Sequence, residues 1–424
     1  MILKLLCLYL WYVINHGSIK IIGMKSIKIR IELNNEQTTL AQKHAGASRY
    51  AYNWALDKCK KGYEAKIEGE IYKRPSAVDL HKDWVVFKNS EATWAKEVSK
   101  CSPQQAFRNL DTAYKRTFTV KNVKFPAFKK KGVNDSFYLE GAIYVKGDKI
   151  KLPKFGWVTC SEILPNISIK NVTISRQANH WFVSFKTQQI PQKVENIEQK
   201  PIIGVDLGIK TLATLSNGEV FENKRPYKKL KRKLRIAQRK VSKKFKKGAK
   251  NQSKNYQKSK KRVATIHYKI ACIRKDALHK LTTHLAKNHS EIVIEDLNVK
   301  GMSKNHKLAS AILDGGFYEF KRQLEYKTSW YGSKMMVVDR FYPSSKTCSD
   351  CQTIKQDLTL KDRIFKCPTC GMQKDRDLNA SINLRNKSVS YTASNACGVS
   401  KNTESSLLRD TMKQEENDSL NSNV

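Results

Sequence analysis

Between Met24 and Leu33 isoleucines alternate with Lys, Arg and Glu, and this period of two predicts a strand with one buried face. The period then lengthens. Leu40, His44, Ala47, Tyr50, Ala51 and Trp54 recur at helical spacing, so residues 36–60 are expected to form a helix that buries that face. A second helical stretch covers 77–119, where Ser102 is placed to cap a helix N-terminus and Pro103 to occupy its first turn. From Phe125 to Gln189 the pattern returns to short alternating runs broken by Gly and Pro, among them Ser136-Phe-Tyr-Leu, Ala142-Ile-Tyr-Val, Lys149-Ile-Lys-Leu and Trp181-Phe-Val-Ser-Phe. Short strands with frequent turns predict a β-barrel or sandwich. The strand at 24–33 is expected to join it, which makes the helical stretch an insertion.

Residues 191–200 read as a polar linker. After it, Pro201-Ile-Ile-Gly-Val-Asp206-Leu-Gly and Glu291-Ile-Val-Ile-Glu295-Asp-Leu predict buried strands of a new α/β domain. From Lys224 to Arg262, 20 of 39 residues are Lys or Arg and none is acidic. Leu230, Leu234, Ala237, Val241 and Phe245 still keep a helical stripe there, so a basic helix with one packed face is expected, with helix continuing from His267 to Asn288. A helix over 316–331 and a strand over 335–340 follow. The expected fold class is α/β plus β-barrel. Its parts are an apolar extension at 1–23 outside the fold, a barrel of 24–35 and 120–195, a helical lobe at 36–119, an α/β domain at 201–386 with an insertion at 345–373, and a disordered tail at 387–424 rich in Ser, Asn, Thr and Glu.

Charge narrows the partner. With 80 basic and 38 acidic residues the chain carries +42, a surplus that suits a polyanion, and nucleic acid is the expected one. A membrane-surface protein would gather its charge on one amphipathic helix, whereas here it is spread over hundreds of positions, so no membrane partner is expected. Cys7, Cys59, Cys101, Cys160, Cys272 and Cys397 are scattered singly, which suits a reducing, cytoplasmic setting rather than a disulfide framework. Residues 2–14 form an apolar run as long as a signal-peptide core but short for a bilayer span. No small-residue cleavage site follows, and Met24 opens the first strand, so an upstream extension is expected, with a signal peptide as the alternative.

Two sets of residues carry chemistry. Cys348-Ser-Asp-Cys351 and Cys367-Pro-Thr-Cys370 are two CxxC pairs with 15 residues between them, the spacing of a closed four-thiolate zinc site, against which stands a redox dithiol reading. A four-thiolate site has no open position, so such a zinc would fold a loop rather than do chemistry. Asp206 and Glu295 each end an apolar strand. Taken singly, such a carboxylate is a metal ligand, half of an ion pair, or simply the exposed end of its strand. With Asp377 they become three acids from separated segments of one domain, which is what two hard divalent ions need to hydrolyse a phosphodiester in line.

Gly204-Val-Asp206-Leu-Gly-Ile-Lys, Ile292-Val-Ile-Glu295-Asp-Leu-Asn-Val-Lys-Gly-Met302, Tyr342-Pro-Ser-Ser-Lys-Thr-Cys348-Ser-Asp-Cys351 and Asp375-Arg-Asp377-Leu-Asn379-Ala-Ser-Ile-Asn383, in that order, resemble the motif series of TnpB (OrfB) proteins of bacterial insertion sequences, relatives of the type V CRISPR effectors. The resemblance extends over most of 24–386 and includes Arg49-Tyr-Ala-Tyr-Asn53-Trp-Ala-Leu and Phe125-Pro-Ala-Phe-Lys. It implies an RNase H-like (RuvC) nuclease domain with a zinc-ribbon insertion, preceded by a helical recognition lobe inserted in a wedge-like barrel. It also implies a guide RNA derived from the transposon end and cleavage of target double-stranded DNA beside a short transposon-adjacent motif. By motif position, Asp206, Glu295 and Asp377 are implied to hold two Mg2+ ions, or Mn2+, and Cys348, Cys351, Cys367 and Cys370 a structural Zn2+. Asp375 competes with Asp377, but Asp377 matches the aspartate just before the Asn-Ala element. The extension before Met24 and Gln352, where glycine is usual after the second cysteine, depart from the pattern.

In the basic tract, Lys231, Arg232, Arg235, Arg239 and Lys243 are candidates for nucleic-acid backbone contact, against a solvated helix face. Tyr52, Asn53 and Gln105 match the family's DNA-facing lobe, where Tyr stacks and amides read base edges, against plain packing or capping. His44, His267, His279 and His284 read as packing or surface residues. The expected function is therefore an RNA-guided DNA endonuclease, set against a guide-dependent DNA-binding regulator without cleavage and a transposase. In that setting Cys367→Ser is expected to lower activity by disordering the approach to Asp377.

Overall fold

In the computed structural model, which describes residues 25–69, 71–187, 193–249, 252–359 and 362–396, strand β1 (Lys25–Glu32) buries Ile29 and Ile31 and exposes the charged residues between them. The extension at 1–23, Cys7, Cys397 and the tail from 397 lie outside these residues. Helix α1 (Asn35–Ile67) begins at a capping box in which the Asn34 and Gln37 side chains each accept the other's backbone N–H. It packs with α2 (Ala77–Ser90), a 3-10 turn at Thr93–Glu97 and α3 (Cys101–Thr119) around Ala51, Leu56, Leu80, Trp84, Phe107 and Leu110.

The buried face of α1 keeps His44, Ala47 and Ala51 of the expected one but turns away from Leu40, Tyr50 and Trp54. It runs through Ala41, His44, Ala45, Ala47, Ser48, Ala51, Tyr52 and Ala55, while Tyr50 is 45% exposed and Trp54 half-buried. Five alanines on this face let neighbouring elements approach closely, so small residues mark most of the inside. Ser102 is not a cap either. Helix α3 starts at Cys101, with no side-chain cap bond from Lys100, and the buried Ser102 Oγ donates to the Tyr138 carbonyl.

Six further strands, β2 (Ser136–Glu140), β3 (Tyr144–Lys146), β4 (Lys149–Leu152), β5 (Gly156–Cys160), β6 (Asn171–Gln177) and β7 (His180–Thr187), complete one antiparallel sheet in the order β2-β6-β7-β1-β5-β4-β3. The earliest strand is thus central, pairing Ile29 with Val183 and Ile31 with Cys160. Alternate residues of the strands, Phe137, Ile150, Val158, Ile174 and Val183 among them, share one core with Ala41 and Ala45 of α1.

His44 stands in that core beside the Phe137 and Phe155 rings. Its Nε2 accepts the Ser99 N–H at 3.0 Å, so the proton sits on Nδ1, 2.9 Å from the Leu40 carbonyl, and the ring is neutral. Burial pushes its pKa down to about 4. The unfolded chain therefore takes up a proton that the folded chain refuses. Stability should fall as pH drops from about 6.5 to about 4, by about 3 kcal/mol in full. Melting of wild type and His44→Gln at pH 7 and pH 4.5 isolates this part, since groups common to both cancel: the variant should lose less stability on acidification, by up to about 3 kcal/mol.

The second sheet contains β8 (Ile203–Leu207), β9 (Thr211–Leu215) and β10 (Val220–Glu222), then β11 (Glu291–Glu295) and β12 (Lys334–Val338), in the order β10-β9-β8-β11-β12. β11 runs parallel to both β8 and β12, while β9 and β10 are antiparallel. Between the two groups of strands lie α4 (Pro226–Lys244) and α5 (Lys254–Asn288), and between β11 and β12 lie α6 (Val299–Met302), α7 (Ala309–Gly315) and α8 (Phe317–Tyr331). The ribbon hairpin β13 (Ile364–Lys366) and β14 (Gln373–Asp375) leads into α9 (Arg376–Ala396). One sheet face buries Val205 and Ile294 against Leu281, Phe320 and Leu324; the other buries Val293 and Val338 against Leu384 of α9.

The chain divides into two compact units, residues up to 190 with 237–268, and 191–236 with 269 onward. Three expectations need correction. The basic tract is two helices rather than one, with a turn at Gly248 and Phe245 past the end of α4, where it meets Tyr256. In the segment expected as a polar linker, residues 193–200 are anchored to the fold, since Ile197 is buried and Val194 N–H donates to the Tyr331 carbonyl. Helix α9 continues past 386 to Ala396, because Ser388 is buried and its Oγ donates to the Glu291 carboxylate at 2.9 Å.

Candidate active site and cysteine cluster

The two CxxC turns bring Cys348, Cys351, Cys367 and Cys370 together with all four sulfurs within 4.8 Å of one another. The Cys348–Cys370 and Cys351–Cys367 sulfurs stand 3.6 and 3.4 Å apart. That is far beyond a disulfide bond of about 2.05 Å. It is near the spacing of about 3.8 Å that 2.3 Å bonds to a tetrahedral ion impose. Hydrogen bonding with Thr353 lowers the Cys351 thiol to about 6, so a thiolate is accessible at neutral pH. Four soft donors in this arrangement suit a zinc ion. Phe365 packs beneath Cys348 and Cys367 as the ribbon's own small core.

The acids are gathered by topology rather than by sequence proximity. Val205 pairs with Ile294 in the parallel ladder, so the next residues, Asp206 and Glu295, end adjacent strands side by side. They belong to the sheet face that carries Gly204 and Val293, the face covered by α9. Asp377 sits in the first turn of α9. Burial pushes the Asp206 carboxyl up to about 7, and the charges of Asp377 and Glu295 add to it. Burial also raises Glu295. Asp206 thus feels both of the other acids, although among the described residues only the cysteines reach the 4.8 Å gathering.

The neighbouring acids have other work. Asp375 Oδ1 accepts the N–H groups of Asp377 and Leu378 at 2.9 and 3.1 Å, capping α9. Asp296 is held by Lys321 at 3.2 Å and by Arg340, and hydrogen bonds from both keep its carboxyl below the usual range. Beside Glu295 opens a cleft of about 450 Å³ whose lining includes Asp296, Tyr318, Lys321 and Arg340.

Sequence reading missed Gly204. A β-carbon there would lie 1.9 Å from the Ser381 carbonyl oxygen and 2.7 Å from Arg385 N, both backbone atoms of α9. Only glycine lets the helix lie this close to β8, and that closeness carries Asp377 toward Asp206. Asn379 and Asn383 were also missed as anything but motif members, though their spacing of four within one helix marks them as one face.

The nucleic-acid candidates divide. Tyr52 is buried in the lobe core with Lys129 Nζ 4.0 Å above its ring, which leaves no face for a base, so the stacking expectation fails. Asn53 spends its amide on Lys129, donating to its carbonyl and accepting its N–H, and Gln105 donates to Asn109 at 3.0 Å. In contrast, Lys231, Arg232, Arg235, Arg239 and Lys243 are all exposed along α4, while Leu234 and Ala237 are buried. The N-terminus of α4 is fixed by the buried Asp314, which accepts the N–H groups of Tyr227 and Lys228 and pairs with Arg274 at 3.0 Å. Asp314→Ala should cost about 3–5 kcal/mol, because it leaves these donors and the Arg274 charge unpaired. Urea titration checks it, and a change under 1 kcal/mol would contradict this role. Among the described residues no helix is long and apolar enough to cross a membrane.

Three family models match the chain: OrfB_IS605, "Probable transposase", over 183–306; "Cas12f1-like, TNB domain" over 317–384; and "Helix-turn-helix domain" over 24–68, where the structure has a strand and one long helix. Several relatives carry the name "Putative RNA-guided DNA endonuclease". InsQ of Escherichia coli K12 is 34% identical over 85% of this chain and 91% of its own, and that of Streptomyces pristinaespiralis 35% identical over 92% and 96%. A solved Cas12f1-sgRNA-target DNA complex aligns over 86% of this chain and 99% of its own at 13% identity and a TM-score of 0.48. With those full-length relatives, the chain belongs to the OrfB (TnpB) family of insertion-sequence proteins.

Proposed function

We propose that this chain is an RNA-guided DNA endonuclease that cuts beside a short transposon-adjacent motif with an RNase H-like (RuvC) site. The nuclease domain is residues 201–386 with the ribbon at 345–373, the wedge-like barrel 24–35 with 120–195, and the recognition lobe 36–119. One observation carries the reading: two acids end adjacent parallel strands and a third arrives on a helix packed over the same face, close enough to raise Asp206. Three half-buried carboxylates gathered on one face are costly, with the Arg376 guanidinium, 3.5 Å from Asp377, set against them, and such a group suits divalent cations.

Asp206, Glu295 and Asp377 would hold two magnesium or manganese ions, and Cys348, Cys351, Cys367 and Cys370 a structural zinc. The ions, when bound, supply an activated water and stabilise the leaving oxygen of an in-line hydrolysis. The protein's own part is orientation. Asp375 fixes the helix turn that presents Asp377, and Asp296 holds Lys321 and Arg340 beside Glu295. The exposed cations of α4, Lys231, Arg232, Arg235, Arg239 and Lys243, neutralise phosphates of the guide or its heteroduplex. Base pairing supplies the choice of sequence.

A complex purified with its own RNA should cut a plasmid matching that RNA when magnesium is present and stay silent with EDTA. Binding without nicking would favour a regulator, and strand-joined products would favour a transposase.

A further inference from the structure

We propose that Asn379 and Asn383 are positioning residues that transmit the folded state of the cysteine ribbon to Asp377. The proposal rests on the reading of Asp377 as a metal ligand. Both side chains are fully buried, four residues apart on α9. Asn379 Oδ1 accepts the Ser349 N–H at 3.0 Å and its Nδ2 donates to the Thr347 carbonyl at 2.7 Å. Asn383 Nδ2 donates to the Ser344 and Thr347 carbonyls at 2.8 and 2.6 Å. The two amides therefore grip the backbone on both sides of Cys348, the first ligand of the cluster. Asp377 lies two residues before Asn379.

The grip is not generic packing. Asparagine is a poor helix former, and a buried amide is tolerated only where its bonds are needed. Asn383 Oδ1 has no hydrogen-bond partner, and the amide cannot turn over to find one, because its oxygen would then face two carbonyl oxygens. An aliphatic side chain would fill the space without this penalty. What it could not do is lock the Cys348 turn to the helix in one register. When four thiolates hold the turn in shape, its carbonyls and N–H stand where the amides meet them, and the first turn of α9 is held at one height over the sheet. When the turn loosens, that register loosens with it.

The test compares removal of the amides with removal of the zinc, using the RNA-bound protein. Asn379→Ala should keep one zinc per chain by elemental analysis yet need about tenfold more magnesium for half-maximal single-turnover cleavage, as lost outer-shell contacts commonly do. Amide hydrogen exchange at 376–380 should rise in the same variant. Stripping zinc from the wild-type complex should produce the same two changes, and stripping it from the variant should add little. Asn383→Leu keeps the volume and loses the donors, so it carries the test should Asn379→Ala fail to fold. A wild-type magnesium requirement in these variants, or effects of zinc and amide removal that simply multiply, would overturn the proposal. Asp377→Ala separates the two ideas: if it cuts normally the reading of Asp377 is wrong, and if it is inactive while the asparagine variants cut normally, only the positioning role falls.

Discussion

Asp206→Asn should abolish magnesium-dependent cleavage, by about a thousandfold or more, since a metal-ion contribution of several kcal/mol is removed with the ligand. The same change should make the metal-free protein more stable. Asp206 is raised to about 7 by burial and by the charges of Asp377 and Glu295. A carboxylate whose folded pKa lies above its unfolded value binds its proton more tightly in the folded state. Its ionisation therefore destabilises the fold increasingly as pH rises from about 4 toward about 7, and the penalty is complete above that. At pH 8, without divalent ions, the asparagine variant should melt above the wild type; magnesium should narrow or reverse the gap. Cleavage assays and melting curves on the same preparations check both halves. A variant that cuts at the wild-type rate would remove Asp206 from the site. One that is inactive but melts lower without metal would show that the side chain is structural instead.

Gly204→Ala should come next in size. The added methyl meets the Ser381 carbonyl at 1.9 Å, whereas ordinary contact begins at 3.4 Å, so α9 must retreat by roughly 1.5 Å. Backbone atoms of a helix cannot swing aside as a side-chain tip can. Displacing a reacting group by about 1 Å costs on the order of 100-fold in rate, and overpacking costs about 1–3 kcal/mol of stability. Cleavage should fall at least that far while the melting temperature drops only modestly. On the proposed role of α4, guide RNA retention should persist, because Asp314 caps that helix independently of α9. Cutting within twofold of wild type would show that the sheet accommodates the methyl and that the close approach is not required.

Much of the chain was readable from residue order alone. Alternation revealed β1 and most of the strands up to Thr187, because period two is imposed by the pleat itself and needs no partner to be seen. The CxxC spacing revealed the cysteine cluster, since two tight turns supply four ligands wherever they fold. Asp206 and Glu295 stood out because charges at the ends of apolar runs are conspicuous. What could not be read were contacts between distant segments. The buried side of α1 is the alanine side, a fact set by what packs on it. Tyr52 looked available and is core. Motif position favours Asp377 over Asp375, but that Asp375 caps the helix is visible only in the geometry. Gly204 is silent in the sequence, since the absence of a side chain acquires meaning only when α9 lies against it. Residue types and local periods determined which elements form and which atoms are capable of chemistry; the packing of α9 over the sheet decided which of them share one face, because the placing of residues 206, 295 and 377 on that face is a property of the fold and not of their neighbours in the chain.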